Sequence, residues 1–245
     1  MKEELNREQL GAVNHGGGPL LILAGAGSGK TKVLVHRVVK LIEADKVNSK
    51  SIALLTFTNK AAQEMKERVK KLLDGETALG FVGTFHTFCV RLLREFGEMV
   101  GVKRNFVIFD SEDSEATMKS VLKELGIDPK ESKPGMFLAV IGKMKNDFKS
   151  LTELEKNTEN YFYKQVAKVW RAYQSKLRKN EALDFDDLLV KAVEVLQIEE
   201  VRTKVNERLK WVLIDEYQDT NKVQFELTRF LAGGSKNLTV VGDAS

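Results

Sequence analysis

The chemistry in this sequence is concentrated first in a glycine-rich turn that ends in Gly-Lys-Thr. The turn follows an apolar run at residues 20–23 and consists of Ala24, Gly25, Ala26, Gly27, Ser28, Gly29, Lys30 and Thr31. Glycines let backbone N–H groups point inward around phosphate groups, and a helix that begins at the turn presents its positive end to them. At this spacing Lys30 reaches the outer phosphates and the Thr31 hydroxyl can ligate Mg²⁺. The pattern predicts a binding loop for a nucleoside triphosphate; the alternative is a glycine-rich turn without a ligand.

A second apolar run, at residues 211–214, ends in the adjacent acids Asp215 and Glu216. In enzymes with this kind of loop, the first acid holds the hydration shell of Mg²⁺, and a neighbouring glutamate can orient and deprotonate the attacking water. We therefore predict Lys30, Asp215 and Glu216 as catalytic residues, and Thr31 and Asp215 as the metal site. On its own, the acid pair would indicate only a polar strand end or a helix N-cap.

Length and composition set the class of protein. The chain has 245 residues, 42% of them hydrophobic and 30% charged, which is typical of a globular protein of one large domain or two small ones. Its net charge of +4 permits nucleic-acid binding without demanding it. Cys89 is the one cysteine, so an intrachain disulfide and a cysteine-based zinc site are excluded. Nothing resembles a signal peptide or a membrane span, and we expect a cytoplasmic protein without membrane contact.

The elements that must position these residues alternate between strand and helix at both ends of the chain. Strands are predicted over residues 20–24, 51–56, 81–83, 211–215 and 238–241, and helices over 31–44, 60–73 and 223–231. This order indicates an α/β fold, a parallel sheet flanked by helices. Residues 87–208 show helical periodicity and almost no strand signal, with Asp184 as an N-cap. We therefore expect an inserted all-helical subdomain between residues 1–86 and 209–245, which together form the sheet.

Four further segments accompany the glycine-rich turn, in which Ala24 replaces the usual first glycine. They are Leu5-Asn6-Arg7-Glu8-Gln9, Thr56-Phe57-Thr58-Asn59-Lys60, Gly83-Thr84-Phe85-His86 and Asp215-Glu216-Tyr217-Gln218-Asp219-Thr220. With these segments in this order, the chain resembles the UvrD/Rep/PcrA group of superfamily-one DNA helicases over its whole length. The resemblance implies a RecA-like P-loop NTPase fold with ATP and Mg²⁺ as cofactors.

The resemblance also implies which residues bind the nucleotide. These are Gln9, Ala24, Gly25, Ala26, Gly27, Ser28, Gly29, Lys30, Thr31 and Lys32. Gln9 matches the glutamine that hydrogen-bonds adenine, a task suited to a carboxamide because it carries both donors and acceptors. Lys32 stands where relatives often have an arginine near the base or sugar, and lysine lacks the planar group for stacking.

The DNA-binding residues that the resemblance implies follow the second and third strands. They are Thr56, Phe57, Thr58, Asn59, Thr84, Phe85 and His86. Both segments lie at the carboxyl edge of the predicted sheet, where open α/β folds place ligands. We expect Phe57 and Phe85 to stack on bases of single-stranded DNA while polar neighbours meet the backbone. The alternative for both rings is a place in the core.

The helical insertion offers less specific signals. The segment Asp184-Phe185-Asp186-Asp187 resembles a family motif near the DNA path, but its three acids would repel phosphate, which leaves structural capping as the alternative. Basic candidates for DNA contact in this region are Lys143, Lys145, Lys176, Arg178 and Lys179, and a solvated helix face is the alternative for each.

By resemblance, the parent protein is an ATP-dependent DNA helicase that moves 3′ to 5′ on single strands and acts at junctions with duplex DNA, in repair or replication. Residues 240–245 resemble the start of the next family motif. We therefore expect a fragment that lacks a C-terminal RecA-like domain, binds ATP and single-stranded DNA, and turns over little. Two alternatives are the helicase portion of a RecB/AddA-like nuclease-helicase and a non-catalytic nucleic-acid-binding module.

Overall fold

The structure, a computed structural model, describes residues 5–25, 27–73, 78–130, 132–156 and 160–243. The strands are β1 (Leu20–Leu23), β2 (Ile52–Thr56), β3 (Phe81–Thr84), β4 (Val107–Ile108), β5 (Ala182–Leu183), β6 (Trp211–Ile214) and β7 (Leu238–Gly242). The helices are α1 (Arg7–Asn14), α2 (Lys30–Glu43), α3 (Asn59–Leu72), α4 (Phe85–Phe96), α5 (Ser111–Glu124), α6 (Pro134–Asn146), α7 (Leu151–Lys156), α8 (Tyr161–Lys179), α9 (Phe185–Gln197), α10 (Glu199–Arg208) and α11 (Lys222–Ala232).

Five strands form a parallel sheet in the order β1-β7-β6-β2-β3, which confirms the predicted α/β class. All five residues of β2 are buried, as expected for a central parallel strand that reads as a continuous apolar run. Leu34, Val38 and Leu41 of α2 pack with Met65 of α3 and Leu54 of β2 in one hydrophobic core. The apolar stripe of each helix therefore fixes that helix on the sheet.

The parallel pairing brings the carboxyl ends of the five strands to one edge. Across that edge, Leu23 pairs with Gly242, and Thr56 pairs with Thr84. The residues that follow the strands there belong, from β1 to β3, to the glycine-rich turn, Asp243, the Asp215–Glu216 pair, Phe57 and Phe85. Segments far apart in sequence thus become neighbours because the last two strands insert between the first and the second.

The described residues of Met1–Phe88, Leu196–Thr220 and Gln224–Ser245 form one compact unit, and those of Cys89–Val195 with Asn221–Val223 form the other. The second unit is mainly helical, with a core that includes Phe137, Val166 and Tyr173. It also contains the parallel pair β4–β5, which sequence periodicity missed because two residues a strand carry no readable alternation. The domain boundaries inferred from sequence stay a prediction. None of the helices in the described ranges is long and apolar enough to span a bilayer.

A buried ion cluster lies inside the helical unit. Lys145 Nζ lies 2.8 Å from both Asp184 Oδ2 and Asp187 Oδ1, and Lys145 is only 5% exposed. Asp184 Oδ1 also accepts the backbone N–H of Asp187 at 2.8 Å, so Asp184 caps α9 as predicted. The expectation that Lys145 contacts DNA is wrong, since its ammonium group is consumed by these two carboxylates.

Candidate functional site

The glycine-rich turn connects β1 to α2 in the conformation that phosphate binding needs. Gly27 and Gly29 adopt positive φ angles of 75° and 83°, which other residues adopt only with strain. Helix α2 begins at Lys30, and no side chain caps its N-terminus. Its first N–H groups and its positive dipole end are therefore directed to the loop. Ala26, one of the predicted nucleotide contacts, lies outside the described residues.

Lys30 is held over this loop by oxygen atoms. Its Nζ donates to the carbonyl oxygens of Ala24 at 3.3 Å and Gly25 at 3.2 Å, and it forms an ion pair with Asp243. The hydrogen bond to Asp243 raises the pKa of Lys30; burial opposes the shift, and the charges of Asp243, Glu216 and Asp215 add to it. Lys30 is therefore a firmly charged cation, and a phosphate group that binds to it would compete with Asp243.

Thr31 and Asp215 meet as predicted at the end of β6. Thr31 Oγ1 donates to Asp215 Oδ2 at 2.8 Å, and Asp215 is only 2% exposed. Burial raises the pKa of the Asp215 carboxyl; the hydrogen bond from Thr31 opposes the shift, and the charge of Glu216 adds to it. One hydroxyl and one carboxylate fit Mg²⁺, which usually takes one or two protein oxygens besides phosphate and water.

Glu216 stands next to this pair in an unusual backbone conformation. Its φ of 53° and ψ of 42° lie in the left-handed region, and its N–H donates to Asp215 Oδ1 at 3.1 Å. Gln218 Nε2 donates to Glu216 Oε2 at 2.7 Å, while Gln218 Oε1 accepts the N–H of Asp243 at 3.0 Å. Gln218 thus connects the Glu216 carboxylate to the end of β7. Strain of this kind at an acidic strand end is typical of functional sites.

Gln9 reaches the same loop from α1. Its Oε1 accepts the N–H of Asn6 at 3.0 Å, and the Asn6 side chain accepts the N–H of Gln9 at 2.8 Å, a capping box. Its Nε2 donates to the Ser28 carbonyl at 2.8 Å. The predicted adenine contact therefore lies beside the phosphate-binding loop, and Lys32 lies near both on the first turn of α2.

The segment after β2 is accessible in part. The Phe57 ring is half-buried, Thr58 and Asn59 are exposed, and the Thr58 side chain caps α3 by accepting the N–H of Ala61 at 3.1 Å. Thr56, by contrast, is 1% exposed. Phe57 and Asn59 are thus the residues of this segment best placed to meet a ligand.

The segment after β3 corrects one expectation. Phe85 is 1% exposed, so its ring cannot stack on a base in this structure; it packs against Phe57 instead, with ring centroids 5.6 Å apart. Thr84 is buried as well, and its hydroxyl shares a hydrogen bond with Thr87 at 2.9 Å. His86 remains half-buried. Phe85 acts through Phe57 because the ring at the start of α4 turns into the core.

Sequence reasoning missed two members of the site, Asp243 and Gln218. Both occur in segments that it singled out as motifs, and an acid directly after the apolar run of β7 was the available signal for Asp243. Gln218 gave no signal, since only the folded chain shows that it lies between Glu216 and Asp243.

The sheet order, the glycine-rich turn and the acidic strand end together define a P-loop nucleotide-binding protein with a helical insertion. Residues 5–245 match the family described as UvrD/REP helicase N-terminal domain, and the chain belongs to that family. It is 44% identical over 241 residues to ATP-dependent DNA helicase PcrA of Staphylococcus aureus strain Mu50, covering 98% of this chain and 33% of the relative. PcrA of Staphylococcus epidermidis strain RP62A is 43% identical over 243 residues, covering 99% and 33%.

The chain therefore spans about a third of the length of these curated relatives. Their names favour the helicase interpretation over the nuclease-helicase alternative.

Proposed function

We propose that this chain is the first motor domain of an ATP-dependent DNA helicase, which binds Mg-ATP and single-stranded DNA. The observation that carries the proposal is the convergence of Lys30, Thr31, Asp215 and Glu216 at one edge of the sheet. The parent protein would move 3′ to 5′ on single strands, act at junctions with duplex DNA, and serve repair or replication in the cytoplasm.

Each residue of the site has a task in hydrolysis. Lys30 would exchange its ion pair with Asp243 for the outer phosphates. Thr31 and Asp215 would hold Mg²⁺, which neutralises phosphate charge when it is bound. Glu216 would orient the attacking water and accept its proton, and Gln218 already fixes the direction of that carboxylate.

The DNA side of the proposal rests on Phe57, whose strand β2 pairs directly with β6. A base stacked on Phe57 would lie over the strand next to the one that carries Asp215. Thr58, Asn59 and His86 would supply polar contacts. Phe85, buried behind Phe57, would keep the stacking ring in place.

Rapid turnover would require the parts of the parent that this chain does not contain. A second RecA-like domain would supply an aromatic side chain against adenine and arginines on the transferring phosphoryl group. Arginines of that kind are worth about 10³–10⁵ in rate. We therefore expect this chain to bind Mg-ATP and to hydrolyse it slowly or not at all.

The testing experiment compares the 245-residue chain with Lys30→Ala in equilibrium ATP binding and in steady-state hydrolysis, with and without single-stranded DNA. Removal of the charge–phosphate contact should weaken Mg-ATP binding about 10- to 100-fold. Lys40→Ala is the matched control, because Lys40 lies on the same helix and pairs with Asp45 instead. Equal ATP affinity in all three proteins would refute the proposal, and rapid DNA-stimulated hydrolysis by the chain alone would refute its dependence on a second domain.

A further inference from the structure

Arg37 is a fully buried cation on the helix that follows the phosphate-binding loop. It lies seven residues after Lys30, two turns along α2, and therefore on about the same face. Its Nε donates to Thr239 Oγ1 at 3.0 Å. Its Nη atoms donate to four carbonyl oxygens at the end of α1 and in the turn behind it, those of Ala12 (3.1 Å), Val13 (3.2 Å), His15 (2.7 Å) and Gly16 (3.0 Å).

Burial lowers the pKa of Arg37, which shows that the protein environment disfavours its charge. A buried charge is tolerated when its donors are satisfied, and here all its contacts given above are hydrogen bonds to oxygen. The guanidinium also lies over the Trp211 ring, 5.8 Å from the centroid. The side chain is therefore fixed from several directions, and it fixes in turn whatever carries those carbonyl groups.

What it fixes is the C-terminal end of α1. This helix has eight residues, too few to be stable alone, and its last turn contains no basic residue. The carbonyl groups at the end of a helix lack intrahelical donors and carry a partial negative charge. Arg37 supplies both donors and positive charge at that end, while the Asn6–Gln9 capping box serves the other.

The position of α1 matters because Gln9 is on it. Gln9 uses one amide hydrogen on the Ser28 carbonyl and one lone pair on the N–H of Asn6. One donor and one acceptor of the carboxamide remain, the combination that an adenine edge requires. A Cβ atom on Gly29 would lie 3.1 Å from Gln9 Nε2, so the carboxamide sits directly against the loop.

We propose that Arg37 is a positioning residue for base recognition. It anchors α1 so that the Gln9 carboxamide stays against the phosphate-binding loop, and it thereby sets the preference for ATP over a triphosphate without a base, although it does not touch the nucleotide. This inference rests on the proposed function, which assigns the adenine contact to Gln9.

The test is Arg37→Lys in the 245-residue chain, with dissociation constants measured for Mg-ATP and for magnesium tripolyphosphate by displacement of a fluorescent ATP analogue. Lysine keeps the charge but cannot hold the four carbonyl groups together. The Kd of ATP should rise about five- to tenfold, equivalent to about 1–1.4 kcal/mol of base contact. The Kd of tripolyphosphate should stay unchanged. The same substitution in a Gln9→Ala chain should produce no further change in the ratio of the two constants.

Arg94→Lys is the matched control. Arg94 also donates to backbone carbonyl groups, those of Arg104 and Phe106, but it lies in the helical unit. It should leave the ratio as in the unsubstituted chain. If Arg37→Lys does not fold, Thr239→Val removes one hydrogen bond at the same guanidinium and should change the ratio in the same direction.

An unchanged ratio in a folded Arg37 or Thr239 variant, or equal loss of both affinities, would overturn the inference. An unsubstituted chain that binds neither ATP nor tripolyphosphate would instead overturn the proposed function.

Discussion

At the scale of single residues, the Asp215 carboxylate is buried, although its proposed task requires that it be ionised. Burial raises its pKa, so the folded chain binds a proton there more tightly than the unfolded chain does. Asp215 therefore lowers stability as the pH rises above its ordinary value toward neutrality. A site that holds a cation in this way costs stability when the cation is absent.

Asp215→Asn should consequently stabilise the chain while it weakens Mg²⁺-dependent nucleotide binding. Asparagine can still accept the N–H of Glu216 and donate to Thr31 Oγ1. We expect a rise in Tm of about 2 °C at pH 7, the order of shift for a change below 1 kcal/mol in a chain of this size. The advantage should shrink as the pH falls toward 4, since the unsubstituted Asp215 then takes up a proton. Thermal unfolding from pH 4 to 8 measures it, and a lower Tm at pH 7 would contradict it.

At the scale of elements, α6, α8 and α9 of the helical unit are joined by a buried polar cluster. Lys145 of α6 pairs with Asp184 and Asp187, Tyr173 Oη of α8 lies 3.2 Å from Asp184 Oδ2, and Gln174 Nε2 donates to Asp187 at 2.9 Å. Burial alone would lower the pKa of Lys145, but the two carboxylates outweigh it and raise the pKa. The cluster therefore works as a closed set, and the three acids of this segment serve packing and capping here.

Lys145→Met should destabilise the helical unit by about 3–5 kcal/mol, because two buried carboxylates lose their partner. Trp170 lies in the core of this unit, so its fluorescence in a Trp211→Phe background reports local unfolding in urea. Lys145→Met combined with Asp184→Asn and Asp187→Asn should recover most of the loss. An unchanged urea midpoint in the single variant would show that the ion cluster contributes little.

At the scale of the whole molecule, a net charge of +4 provides a weak general attraction for nucleic acid. Affinity for single strands must then combine a few phosphate contacts with stacking. Only the former depends on salt, since each neutralised phosphate of a single strand contributes a slope of about −0.7 in log K against log salt concentration.

Phe57→Ala should therefore lower the affinity for a short oligothymidine about 5- to 100-fold, the range measured for one stacked base, with an unchanged salt slope. Fluorescence anisotropy at several salt concentrations would give two parallel lines. Phe225→Ala is the control, because Phe225 is an aromatic residue of the same chain that is 50% exposed. Lines that coincide would remove Phe57 from the proposed DNA site.

What the sequence determined by itself was local. The strand–turn–helix around Lys30, the acid pair after β6, the cap at Asp184 and the alternation that defines the α/β class are all written in contiguous residues, where steric preference and hydrophobic period act directly. The segments at the carboxyl edge could also be placed there, because parallel strands leave no other choice.

Only the tertiary structure decided which of these segments are neighbours. The order β1-β7-β6-β2-β3 puts Asp243 on Lys30 and Gln218 between Asp243 and Glu216, and Arg37 meets the end of α1 from another helix. Burial was equally hidden, since nothing near Phe85 or Lys145 in sequence shows that the first faces the core and the second faces two carboxylates. Such contacts depend on what packs over a residue, and packing joins parts of the chain that no local pattern connects.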